Sequence, residues 1–296
     1  MKNIVCVLFF LFLAASGFCQ LQKDSVITAK ADSSKKSYLI PAIKYFSDNI
    51  YLGRKSADMQ SLLMPALAYY HKSGLFVSSY LTYILNPGYK RVDLVSAELG
   101  YEYNSDKFYG SAAFTKYWFN DSSSSINSSI TGEIELSAIY DFNIFSLGGS
   151  LGFTMANKMD VVANPQVSKI FYLCNDHLEI GPEINLFAGT QYFNEAYYNP
   201  TKNGHSTKGR KRNNNGSTST ITVTESNQFK ILDYELSLPL TYSKNMFSFN
   251  AKPSFIIPVH PATLMQDNVM VKETLENVWL IELGVSMKIG KKIHHV

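Results

Sequence analysis

The chain has 296 residues, of which 46% are hydrophobic, 14% aromatic and 17% charged, and its formal net charge at pH 7 is +3. So small a net charge gives no reason to expect nucleic acid as a partner. Two of the three cysteines precede position 20, so the rest of the chain cannot form an internal disulfide. After the N-terminal segment, the sequence contains no apolar run of the roughly twenty residues that a membrane helix needs.

The first 19 residues have the pattern of a secretory signal peptide. A lysine precedes an apolar stretch, and small residues follow it. We expect cleavage before Gln20, after which a short segment, residues 20–37, precedes the first strand. Lipidation at Cys19 is the alternative, but the bulky Phe18 fits poorly the small residue that this processing needs.

From residue 38 onward, alternation of apolar and polar residues predicts β-strands. Side chains of a strand point alternately to its two faces, so a strand with one wet face alternates with a period of two. In residues 92–103, for example, Ser96, Glu98, Gly100 and Glu102 share one face and apolar or aromatic residues share the other. The predicted strands are 38–47, 61–71, 75–85, 92–103, 107–119, 129–141, 145–156, 166–174, 177–193, 228–243, 246–258 and 277–290.

The connections between these strands alternate between short turns, such as 71–74, and longer polar loops, such as 120–128, 157–165 and 194–227. This asymmetry is typical of outer-membrane barrels, whose short turns lie in the periplasm. The predicted fold class is all-β: a closed antiparallel transmembrane β-barrel over residues 38–296, with about twelve strands and a range of ten to fourteen. An even count places both chain ends, including the N-terminal segment, in the periplasm. A soluble β-sandwich is the alternative, but it gives no reason for loops to sort by length.

Three prolines, Pro182, Pro239 and Pro253, lie inside consecutive predicted strands. Proline cannot donate a hydrogen bond to a strand ladder, and a closed barrel has no edge strand to accommodate it. Two interpretations remain open. The prolines occupy β-bulges, or they mark a weakened seam in the wall that serves as a subunit contact or a lateral opening.

Three segments of the chain resemble outer-membrane barrel proteins of Bacteroidota-type bacteria: Cys19-Gln20, Tyr51-Leu52-Gly53-Arg54, and Tyr69-Tyr70-His71-Lys72-Ser73-Gly74. The resemblance implies an outer-membrane address and contact with the barrel-assembly machinery, and it implies no substrate. The C-terminus departs from this pattern. Many such barrels end on an aromatic residue that the assembly machinery reads, whereas this chain ends Lys291-Lys292-Ile293-His294-His295-Val296.

The inward faces of the predicted strands carry many charged residues, which we expect to line the lumen. They are Glu98, Glu102, Glu133, Glu135, Glu179, Glu183, Asp233, Glu235, Lys252 and Glu282. If the lumen is open and wet, this excess of carboxylates favours cations. If the charges pair across neighbouring strands, they fill and close a narrow barrel. Twelve strands lie between the filled barrel of about eight strands and the porin of about sixteen, so both alternatives stay open.

The longest predicted loop, 194–227, has few apolar residues and a run of basic ones. These are Lys202, Lys208, Arg210, Lys211 and Arg212. Such a run can hold the phosphates of lipopolysaccharide by charge. It is also typical of a solvated loop, and it could fold back over the lumen.

A hydrolase at the barrel rim would need a nucleophile and a histidine within hydrogen-bond reach. The candidate pairs are His205 beside Ser206, and His260 with Asp267, but neither lies in a recognisable motif. The histidines at 294–295 lack the further ligands that zinc requires. We therefore expect no enzymatic activity, no metal and no cofactor.

These observations predict a porin-like channel or transporter for small polar solutes in a Gram-negative outer membrane, with selectivity set by an acidic lumen. A closed structural or surface barrel is the alternative, in contact with lipopolysaccharide or a partner through the loop 194–227. A rim-sited hydrolase is a third and weaker reading. Since a fold does not determine a function, the sequence specifies neither the substrate nor the oligomeric state.

Overall fold

The computed structural model describes residues 36–56, 61–88, 90–194, 221–224, 226–266 and 269–290. Its strands are β1 Tyr38–Phe46, β2 Ile50–Tyr51, β3 Arg54–Lys55, β4 Leu62–Tyr70, β5 Leu75–Ile84, β6 Arg91–Asn104, β7 Phe108–Phe119, β8 Gly132–Asp141, β9 Ser146–Met155, β10 Met159–Ser168, β11 Phe171–Leu173, β12 Leu178–Ile180, β13 Glu183–Gly189, β14 Ile221–Thr224, β15 Lys230–Ser237, β16 Leu240–Lys244, β17 Phe247–Pro258, β18 Thr263–Gln266, β19 Val269–Lys272, β20 Val278–Met287 and β21 Ile289–Gly290. In this part of the chain, no helix has the length and apolar character needed to cross a membrane.

Within the described residues, twelve strands form a closed antiparallel barrel, as the sequence predicts. Eight are single segments, namely β1, β4 to β9 and β17, and four are composed of two segments, namely β10 with β11, β12 with β13, β15 with β16, and β20 with β21. Each strand pairs with its neighbours in the chain, and β1 pairs with β20 to close the wall. Closure leaves the wall without a free edge, so the backbone groups of the ladders bond within the barrel.

The alternation of side chains gives the barrel an apolar outer face. In β6, Leu99 is 63% exposed on the outside, whereas its inward neighbour Ser96 is 0% exposed. The same outward positions along other strands carry large exposed apolar residues, among them Leu67, Val77, Phe114, Trp118, Leu136, Ile184, Phe249 and Trp279. Isolated exposed apolar residues are normal on a soluble protein, but a continuous belt marks a surface that another apolar phase covers.

The two ends of the barrel differ. At one end, here the short-turn end, tight turns at 71–74, 105–107, 142–145, 174–177 and 245–246 join the strands. Several of these turns contain residues with positive φ. Asparagine is one of them, and it adopts this left-handed backbone conformation more readily than most residues. At the other end, the long-loop end, most connections are longer, and β14, β18 and β19 form a small separate sheet there.

The loop predicted at 157–165 is wrong. A tight turn at 156–158 joins β9 to β10, and β10 runs from Met159 through this region. Its polar residues Asp160 and Asn164 are buried inside the barrel, so they continue the alternation that the sequence reading interrupted. The misleading signal was Pro165, which pairs in register with β9 although proline usually ends a strand.

The bulge interpretation of Pro182, Pro239 and Pro253 is also wrong. Strand register continues unchanged across all three, and the register shifts in the described ladders fall at 82–83 and 187–188. Each proline carbonyl accepts a hydrogen bond from the adjacent strand, at 3.1, 2.8 and 2.9 Å respectively. Each proline therefore removes one donor from the wall without displacing a strand. The seam interpretation stays a prediction.

Candidate functional site

A cavity of about 190 Å³ lies inside the barrel against the wall formed by β1 and β4 to β8. It extends from Glu102 and Tyr109, beside the short turns, to Phe46 and Glu133, beside the long loops. Among the described residues that line this cavity, the charged ones are Lys44, Glu98, Glu102, Glu133 and Glu135. Four carboxylates and one ammonium group line this space, which is here called the acidic cavity.

Neutral hydroxyl groups position two of these carboxylates. The Tyr117 hydroxyl donates to Glu133 Oε2 at 2.8 Å, and Ser78 Oγ donates to Glu98 Oε2 at 3.0 Å. Such bonds fix the orientation of a carboxylate while leaving its charge in place.

The opposite wall of the lumen holds its charges in close contact. Lys252 Nζ lies 2.9 Å from Glu183 Oε1 and 3.8 Å from Glu235 Oε1. Gln166 Nε2 donates to Glu183 at 2.9 Å, and Ser237 Oγ donates to Glu235 at 2.7 Å. These side chains are mostly buried, and they form a bonded polar network on this side of the lumen.

The remaining predicted lumen residues occupy separate places. Glu282 forms an ion pair with Lys44 at 2.7 Å, which links the last barrel strand to the first. Asp233 is fully buried near the long-loop end, and Glu179 is half-buried on β12. Most of the predicted lumen residues therefore belong either to the acidic cavity or to the paired charges of the opposite wall. The strand pattern did not show this division.

Several other predicted residues lie outside the described part of the chain. They are Lys202, Lys208, Arg210, Lys211 and Arg212 of the basic run, together with His205, Ser206, Asp267, His294 and His295. Of the predicted hydrolase residues, His260 is described, and its Nδ1 lies 2.7 Å from the backbone oxygen of Ile231. Within the described ranges, no group of three or more His, Cys, Asp or Glu side chains could hold a metal ion.

The first long connection folds into the barrel instead of away from it. Residues 47–56, here the inner hairpin, contain β2 and β3, and the turn between them has φ of 49° at Leu52 and 73° at Gly53. Positive φ at both central residues is the type I′ geometry that suits a two-residue hairpin. Leucine in this conformation costs about 1 to 2 kcal/mol. Burial of its side chain, which is 2% exposed, contributes a gain of about 1.5 to 3 kcal/mol.

Apolar side chains of the inner hairpin pack at the long-loop end of the acidic cavity. Ile50 is 0% exposed and belongs to a buried cluster with Phe46 and Met64, both of which line the cavity. Leu52 belongs to a second cluster, whose other buried members are Ile126, Phe187, Phe193 and Leu232. The inner hairpin therefore packs against residues that line the cavity at its long-loop end.

Tyr51 of the inner hairpin is buried near the carboxylates of Glu133 and Asp160. Burial raises the pKa of its hydroxyl well above the ordinary value, and the nearby carboxylates of Glu133 and Asp160 add to the shift. Its ring meets that of Phe193 edge to face, with 5.0 Å between the ring centroids. Burial and the nearby negative charges both disfavour the ionised phenol.

Arg54 is the largest of the fully buried side chains in the described residues. Its Nη1 donates to Leu52 O at 2.9 Å, and its Nη2 donates to Gln191 Oε1 at 3.0 Å and to His260 O at 3.2 Å. Its Nε lies 3.2 Å from Glu273 Oε2, which completes an ion pair. One guanidinium thus joins the inner hairpin to two other connections at the long-loop end.

A second buried network ties residues 120–131 to the same region. The Asp93 carboxylate accepts bonds from Ser123 Oγ at 2.6 Å and from Ser125 Oγ at 2.9 Å, and it pairs with Arg91 at 3.0 Å. Asn49 of the inner hairpin donates from Nδ2 to Ser125 Oγ at 2.8 Å. Because these groups satisfy one another, residues 120–131 pack against the inner hairpin in the described part of the long-loop end.

No protein-family model matches the chain, and no curated protein matches it in sequence. Comparison with solved structures finds bacterial outer-membrane barrels. A structure described as the KdgM porin has a TM-score of 0.45 and 10% identity, over 84% of this chain and 98% of that one. The outer membrane protein Omp33 of Acinetobacter baumannii has a TM-score of 0.36 and 9% identity, over 86% of this chain and 99% of that one. A Rhodopseudomonas blastica porin mutant has a TM-score of 0.28 and 10% identity, over 86% of this chain and 99% of that one. Similarity at this level is no evidence for function, and the resemblance to Bacteroidota-type proteins stays a prediction.

Proposed function

We propose that this protein is a channel for small polar solutes in a bacterial outer membrane, with no catalytic activity of its own. A wall of strands is stable in lipid when closure lets every backbone group bond within it. The outer face of this barrel is apolar, and the sequence begins with a predicted signal peptide. In this proposal the short-turn end faces the periplasm and the long-loop end faces the exterior.

The observation that carries the proposal is the acidic cavity inside the wall. Its four glutamates, with a single lysine among the described lining residues, favour cations over anions of the same size. The paired charges around Lys252 lie on the other side of the lumen and leave the passage beside β1 and β4 to β8. We therefore propose small cations and neutral polar molecules as the solutes.

The described conformation is, in this proposal, the closed state of the channel. The inner hairpin covers the cavity, since Ile50 packs directly on the cavity residues Phe46 and Met64. Solutes can then pass only after the inner hairpin moves.

Planar-bilayer conductance of the refolded protein tests the proposal, with Glu133→Gln as the main variant. A carboxylate about 4 Å from a passing cation contributes about 1 kcal/mol in watery surroundings, which is about a fivefold effect. We expect discrete cation-preferring steps whose cation-to-anion permeability ratio falls in Glu133→Gln. The matched control is Glu276→Gln, which removes an equal charge from an exposed position on a long loop and should leave the ratio unchanged. An unchanged ratio in Glu133→Gln would overturn the acidic pathway.

A second candidate is a closed surface barrel, and the buried inner hairpin is the observation in its favour. In this case the basic residues at 202–212 contact lipopolysaccharide, as the charge of the loop suggests. Such a barrel is silent in planar bilayers, even after the inner hairpin has been released, although it still migrates as a folded species in unheated gels. It would instead bind vesicles that contain lipopolysaccharide more tightly than vesicles without it.

A further inference from the structure

We infer that Arg54 is a latch that holds the inner hairpin shut by tying it to the last long loop, residues 259–277. This inference rests on the proposed channel function, because it names what controls access to the acidic cavity. The observations behind it are the burial of Arg54, the origin of its partners and the strained turn beside it.

Arg54 is an unusual residue to find buried at the long-loop end of the barrel. A buried charge is tolerated only when it is paired and its hydrogen-bond donors are satisfied. The guanidinium meets this requirement with acceptors from residue 52, from residue 191 and from the last long loop. If the inner hairpin moved out alone, it would break every bond except the one to residue 52, which lies in the hairpin itself.

Glu273 is firmly attached to its own loop. Its Oε2 accepts the backbone N–H of Ala262 at 3.0 Å, and its own N–H donates to the Ala262 carbonyl at 2.9 Å. The carboxylate that pairs with Arg54 therefore moves with the last long loop. Displacement of this loop from the outer side would withdraw the counter-charge from Arg54 and so weaken the hold on the inner hairpin.

The turn of the inner hairpin favours release once the latch is broken. Leu52 has φ of 49°, a conformation that leucine adopts only when its surroundings enforce it. The enforcing contacts are the apolar cluster around Leu52 and the bond from Arg54 to its carbonyl. In contrast, the ion pair of Lys55 with Asp48, at 2.5 Å, lies wholly within the inner hairpin and moves with it.

Thiol labelling tests the latch without reference to transport. Ser56 is 2% exposed, so Ser56→Cys places a small reporter at a buried position of the inner hairpin. Cys174→Ser removes the exposed cysteine of the chain. In this background we expect Arg54→Gln and Glu273→Gln to raise the rate of reaction with a membrane-impermeant maleimide by about tenfold or more, because an unpaired buried charge favours conformations that reach water.

Lys272→Gln is the matched control, since it removes a charge from the exposed residue next to Glu273 without cutting the link to Arg54. We expect its labelling rate to stay within about twofold of the parent. All rates are measured on the fraction that migrates as folded barrel in unheated gels, and Glu273→Gln provides the milder variant if Arg54→Gln folds poorly. Equal labelling of the latch variants and the parent overturns the latch.

Conductance of the same variants separates this inference from the proposed function. Faster labelling with more frequent open steps supports both. Faster labelling in a protein that never conducts supports the latch and overturns the channel. Conductance in the parent with labelling unaffected by Arg54→Gln and Glu273→Gln supports the channel and overturns the latch.

Discussion

Replacement of Lys252 by glutamine is expected to destabilise the barrel strongly. The ammonium group lies between the carboxylates of Glu183 and Glu235, and its side chain is 14% exposed. Lys252→Gln leaves these two carboxylates facing one position without a positive charge between them. The loss therefore includes both the attraction to lysine and the cost of two buried carboxylates that have lost a partner.

The two distances, 2.9 and 3.8 Å, set the magnitude. At an effective dielectric constant of about 20 they correspond to roughly 4 to 6 kcal/mol each, and in water to about 1 to 1.5 kcal/mol each. Desolvation of the ammonium group offsets much of the attraction that corresponds to the dielectric constant of about 20. Removal of one partner from a buried pair typically costs about 3 to 5 kcal/mol, and we expect a value in this range if this half of the lumen is filled.

Urea unfolding of the protein in lipid vesicles measures the effect. Trp118 and Trp279 both lie on the outer face and are each 52% exposed, so their fluorescence reports the loss of contact with lipid. The control is Lys158→Gln, because Lys158 lies on an exposed turn with its ammonium 4.6 Å from the centroid of the Tyr192 ring, and its loss should cost about 1 kcal/mol or less. A free energy of unfolding for Lys252→Gln within about 1 kcal/mol of the parent would show that water screens these charges and would refute the filled wall.

Two further substitutions test the long-loop end. Gly53→Ala should lower the free energy of unfolding by about 1 to 2 kcal/mol for its left-handed backbone, and further because its Cβ would lie 2.9 Å from Pro258 Cβ. Gly88→Ala shares the positive φ but meets nothing within 4 Å, so an equal loss in both variants would contradict the proposed contact. Asp160→Asn removes one of the acceptors that hold the N–H groups at 192–193, at a cost of about 1.5 to 3 kcal/mol. These two amides should then exchange with deuterium at least about tenfold faster, and unchanged exchange would show that the carboxylate does not hold them.

The wall of the barrel could be predicted because its signal is local. In residues 92–103 the alternation in sequence is the alternation between outside and lumen, and no distant contact is needed to see it. The same reasoning failed at 157–165, where polar residues and Pro165 imitate a loop. There the pairing of β10 with both neighbours overrides the local preference, so the strand is specified by its surroundings.

The packing of the inner hairpin at the long-loop end could not be predicted, because its contacts join residues far apart in the chain. Arg54 binds partners 137 and 219 positions away, at Gln191 and Glu273. The sequence of the segment 51–54 gives no indication that Arg54 is buried, because arginine side chains are mostly exposed in proteins. A weak local signal was a leucine in front of Gly53, where a surface turn of this type would usually have asparagine or aspartate.

The turn at 174–177 provides this barrel with a chemical marker of its orientation. Cys174 is exposed at the short-turn end, and both other cysteines precede the predicted cleavage position. A molecule cleaved at this predicted position has one thiol, and that thiol lies on one side of the bilayer only. The fraction of thiol that an external charged reagent modifies then equals the fraction of barrels inserted with their short turns outward. When this fraction is known, the direction of a measured current can be related to the two ends of the barrel.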